Sequence, residues 1–76
     1  MANLKPQILE SVARNMAAHT KPDDILTLDS SNPGQYGFRG NMTTILRNGQ
    51  PIRHMPIEEN AKAVVARVKE LIRDTL

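Results

Sequence analysis

Asn48-Gly49 is the strongest constraint in this sequence, because both residues tolerate the positive φ that a two-residue type I′ turn demands. Apolar and β-branched residues flank the pair, so the spacing predicts a β-hairpin with strands at about 36–47, kinked at Gly40, and 50–55. Counting outward sets Arg47 opposite Gln50, Ile45 opposite Ile52 and Thr43 opposite His54. Strict alternation then gives the other face to Met42, Thr44, Leu46, Pro51, Arg53 and Met55. On that register Arg47 and Arg53 fall on opposite faces. Pro51 confines the second strand to an edge or to a position where its N–H would point outward.

Helical signals bracket the hairpin. Ile8, Leu9, Val12, Ala13 and Met16 recur at three- and four-residue spacing, which predicts a helix over about residues 4–18. Asn3 would cap it, with Pro6 in the first turn. Ile57, Ala61, Val64, Val68, Leu71 and Thr75 form a second stripe, widened by Val65 and Ile72. It predicts a helix over about 56–75, opened by Pro56 and by Glu58 and Glu59 at its positive end. Residues 20–29 are ambiguous: Thr20 and Asp23 could open a short helix, whereas Ile25-Leu26-Thr27-Leu28 favours a strand at about 24–29. Ser30 to Gly34 reads as a turn cluster.

The order is helix, strand, hairpin, helix. The expected fold is a small α+β domain, residues 1–76, with a three-stranded antiparallel sheet and both terminal helices packed on one face. One Phe, one Tyr, no Trp and four Met make the core aliphatic and small. A chain of 76 residues excludes dinucleotide folds and barrels, and the absence of Cys excludes a disulfide scaffold or thiolate metal site. No apolar run reaches the roughly 18 residues of a membrane span, and Asn3, Lys5, Pro6 and Gln7 interrupt any signal-peptide core. A cytoplasmic protein without a membrane partner is expected.

The net charge of +2 is unevenly spread. Residues 1–29 carry one net negative charge and residues 58–76 cancel, whereas residues 30–57 hold Arg39, Arg47 and Arg53 with no acid. With Tyr36 and Phe38 nearby as stacking surfaces, these arginines are candidate contacts for an external anion such as a phosphate backbone. The plainer account is that scattered arginines keep a sheet face solvated. His19 and His54 lack metal-ligand spacing, and no metal or other cofactor is expected. Asp23-Asp24 and Glu58-Glu59 read as N-terminal caps rather than paired catalytic acids, and the serines lack a nucleophile context. No catalytic constellation emerges.

The element order, with Ser31-Asn32-Pro33-Gly34 in the first inter-strand loop and Ala61-Lys62-Ala63-Val64-Val65-Ala66 in the last helix, resembles the double-stranded-RNA-binding domain. The resemblance implies duplex-RNA binding, with Lys62 as the one phosphate contact carried over. Glu58 and Glu59 stand where that family opens its last helix with lysines, and its loop histidine has no counterpart near Pro33.

The expected function is a non-enzymatic interaction or regulatory module that binds another protein. Its exposed apolar positions would include Tyr36 and Val65. Val65 and Ile72 also make the apolar stripe wider than a small sheet covers, which favours a homodimer. By analogy of size and composition, such chains are typical of phage and mobile-element accessory proteins. The alternative is a nucleic-acid binder using Arg39, Arg47, Arg53 and Lys62.

Overall fold

A computed structural model describes residues 5–31 and 42–74. Five elements follow one another: α1 (Pro6–Ala17), β1 (Leu26–Ser31), β2 (Met42–Arg47), β3 (Gln50–Met55) and α2 (Glu58–Asp74). The strands form one antiparallel sheet in the order β1-β2-β3, so the hairpin's first strand is central. This is the α-β-β-β-α architecture that the periodicities predict. Among the described residues, no helix is long and apolar enough to cross a membrane.

Helix α1 starts two residues later than expected. Lys5, in an extended conformation, occupies the N-cap without a side-chain cap bond, and Pro6 supplies the first turn. Asn3, the expected cap, lies outside the described residues. Ala13 and Met16 are buried and Leu9 and Val12 pack beside them, whereas Ile8 is 48% exposed. The helix unwinds in tight steps: the His19 and Thr20 amides donate to the carbonyls of Met16 and Ala17. The Thr20 hydroxyl donates to Met16 O at 2.8 Å.

The segment between α1 and β1 forms a turn before the strand. The Asp24 amide donates to Lys21 O, and the Lys21 amide donates back to Asp24 Oδ2 at 2.8 Å. Asp24 thus closes a turn with Pro22 inside it, rather than capping a helix. The strand starts only at Leu26, because residues 21–24 are committed to this reciprocal pair.

Helix α2 likewise begins after Pro56. The Ile57 carbonyl accepts the first helical bond, from Ala61 at 3.2 Å. Ala61, Val64, Val65 and Val68 are buried, with Leu71 and Ile72 packed at the margin. Helix α2 touches all three strands, while α1 packs chiefly along α2. Val65 is thus only 7% exposed and belongs to the core; it offers no docking surface. The stripe that looks too wide for one sheet is closed within the chain, where α2 meets both the sheet and α1.

The hairpin turn is as predicted, with φ 54° at Asn48 and 83° at Gly49. The register beyond it is not. Leu46 pairs with Pro51, but Ile45 pairs with Arg53, Thr44 with His54 and Thr43 with Met55. Ile52 is an extra residue, a β-bulge between the Leu46 and Ile45 pairings. The cause is in the side chains. Ile52 and Met55 both pack on the core, yet an odd separation in a regular strand would send them to opposite faces. One inserted residue lets both face the helices. It also moves Arg53 opposite Ile45, onto the face that carries Arg47.

Candidate functional site

The bulge shapes a cleft of about 310 Å³ between the C-terminal half of α1 and the hairpin. Val12, Met16 and Ile52 form its apolar floor, and Asn15, His19, Arg47 and Arg53 form its rim. Because α1 rests mainly on α2, it stands off from β3 and leaves this space open. Among the described residues, no carboxylate lines it.

The two arginines are held differently. Arg47 donates from Nη1 to the His19 carbonyl, one of the acceptors that the end of α1 leaves without a helical partner. A guanidinium at that end also complements the helix dipole. Arg53 is exposed on an edge strand, and it pairs with no acid among the described residues.

Turn residue Asn48 fixes the hairpin to the segment after α1. Its amide nitrogen donates to Ile25 O at 2.8 Å, and its side-chain oxygen accepts from the Ile25 amide at 2.9 Å. Its side-chain nitrogen donates to Asp24 Oδ1 at 2.9 Å. The Lys21 amide, then the Asn48 side chain, hold the Asp24 carboxyl below its ordinary pKa, with attraction from Arg47 adding to them. The hairpin turn is therefore tied to the segment that leads from α1 into β1.

Of the residues singled out from sequence, Tyr36, Phe38 and Arg39 lie outside the described residues. Lys62 is on α2, 3.6 Å from Glu58 Oε1, and is not part of the cleft. The cleft-lining residues Val12, Asn15, Met16 and His19 were not foreseen as a site. Only the i, i+3 apolar pair Ile52 and Met55, which announces a bulge, could have pointed to them. His54, opposite Thr44 on the far face, shares a 2.9 Å hydrogen bond between Nδ1 and Thr44 Oγ1. Among the described residues, no group of three His or acidic side chains could hold a metal ion.

No protein-family model, curated protein or solved structure matches the chain.

Proposed function

We propose that the protein is a small non-enzymatic module that works by docking on another protein. The observation that carries this reading is the open cleft of α1 and the hairpin, whose apolar floor is edged by arginines and, among the described residues, lined by no acid. Apolar surface next to polar orienting groups is the usual make-up of a recognition site. Affinity capture from the source organism, followed by reconstitution with the purified partner, tests it. The expected complex has a defined stoichiometry and survives about 0.5 M salt, where exposed charge pairs are screened. Failure of any protein to reconstitute with the pure chain would overturn the reading.

Nucleic-acid binding is the second reading, and one observation favours it: the bulge places Arg47 and Arg53 on one side of the hairpin. The α-β-β-β-α order is compatible with a relationship to the double-stranded-RNA-binding domain. Against it, Arg47 is engaged by His19 O and Lys62 lies beside Glu58. Binding that falls steeply with salt, with a slope flattened by replacing Arg39, Arg47 and Arg53 with Gln, would establish this reading instead.

A further inference from the structure

We propose that the cleft between α1 and the hairpin takes a peptide segment in which an acidic side chain neighbours a bulky aliphatic one, a proposal that rests on the protein-docking reading. Three clefts of similar size among the described residues can be compared, and their chemistry separates them. The one bounded by Ala17, Ala18, Leu71 and Ile72 has a single cation, Arg14, already bound to Glu10 at 2.8 Å. The one between Pro22 and Ile72 carries both signs, Asp24 beside Lys69 and Arg73. Of the three, only the cleft of α1 and the hairpin joins an apolar floor to an arginine that pairs with no acid, with no carboxylate in its lining among the described residues.

Its two arginines would act together on a carboxylate. A guanidinium presents five N–H donors in a planar fork that matches a carboxylate with two parallel bonds. Arg47 spends one donor on His19 O, which fixes the direction of the rest, while Arg53 is exposed and able to close over a ligand. The floor decides which anion. Val12 and Ile52 are half-buried, so a ligand gains by covering them with apolar surface of its own. A phosphodiester backbone brings little such surface and needs a row of cations, whereas the rim offers two arginines. At about 310 Å³ the space stands at the lower end of the range for ligand sites, and holds a few side chains.

The test is an amide-shift titration of the nitrogen-labelled full chain with a short, acetylated and amidated peptide alternating Leu and Asp. The parallel arms are the same peptide with Asn for Asp, and a short oligo-dT strand. The Asp peptide is expected to shift the amides of Asn15, His19, Ile52 and Arg53 to saturation, and the Asn peptide to bind about tenfold more weakly. Arg53 is exposed, so Arg53→Glu should fold normally, lose the Asp peptide and gain an alternating Leu and Lys peptide in its place. Unmoved cleft amides, or equal binding of the Asp and Asn peptides, would overturn the proposal. Shifts confined to another face would overturn the site and leave protein docking standing. A salt-steep response to oligo-dT alone would overturn both.

Discussion

Arg67 of α2 grips Glu10 of α1 with two hydrogen bonds, Nε to Oε1 at 2.7 Å and Nη2 to Oε2 at 2.9 Å. Arg14 donates to the same carboxylate at 2.8 Å, and Glu70 lies 3.4 Å from the far side of the Arg67 guanidinium. Because α1 rests mainly on α2, this cluster holds the outer helix in place, and the outer helix is one wall of the cleft. The Arg67 hydrogen bonds pull the Glu10 pKa from 4.5 down to about 2. The same contact raises the pKa of Arg67.

That shift sets a pH dependence. A carboxyl whose pKa is lowered by folding stabilises the fold above its unfolded value, and the contribution is lost as pH falls through the folded one. The Glu10 contribution is therefore complete above pH 4.5 and fades toward about 2. Glu10→Gln should melt at a lower temperature than the parent at pH 7, with the gap closing across that window. Thermal melts followed by circular dichroism check this; a gap that stays constant with pH refutes it.

Ile45 in β2 and Ile25 just before β1 should differ sharply in their response to truncation. Ile45 has no exposed surface, whereas Ile25 is 65% exposed. Ile45→Ala should cost about 2–5 kcal/mol, from lost burial and the cavity left behind. Ile25→Ala should stay within about 0.5 kcal/mol of the parent. Urea titration measures both, and similar losses would contradict the assigned core.

Gly49 isolates a backbone effect, because a Cβ added there meets nothing within 4 Å although φ is +83°. Gly49→Ala should lose about 1 kcal/mol through the left-handed conformation alone. A chemically synthesised chain with D-alanine at that position should recover the loss. If the D residue is as damaging as the L residue, backbone conformation is not the cause.

Asn48→Gly separates the turn from the clamp. Glycine keeps the positive φ but removes the side chain that bonds the Ile25 amide and Asp24. Loss of the bond to the Ile25 amide should cost about 1 kcal/mol. It should also speed hydrogen exchange at Ile25 more than at Ile45. Unchanged exchange at Ile25 would show that the clamp does not order this segment.

The sequence made the elements legible because their signals are local. Ala13 and Met16, or Val64 and Val68, need only a helical period to declare a buried stripe, and Asn48-Gly49 needs only two residues to declare a turn. The ends were less legible. Pro56 precedes α2 instead of opening it, and the turn closed by Asp24 delays β1, because each end depends on which backbone groups find partners. The site was hidden for a different reason. Alternation separates Arg47 from Arg53, and only the competing demands of Ile52 and Met55 for the core reunite them. That is a tertiary conflict, and no single stretch of chain contains it.

The bulge has one more consequence, for crowding rather than recognition. Strand β3 is an edge, and an edge with a regular row of amides is a template on which further copies of a chain can grow. Here Pro51 deletes one donor from that row and the extra residue at Ile52 breaks its spacing. A copy that began to pair with β3 would fall out of step within two residues. The irregularity that shapes the cleft thus also makes β3 a poor template for pairing with further copies of the chain.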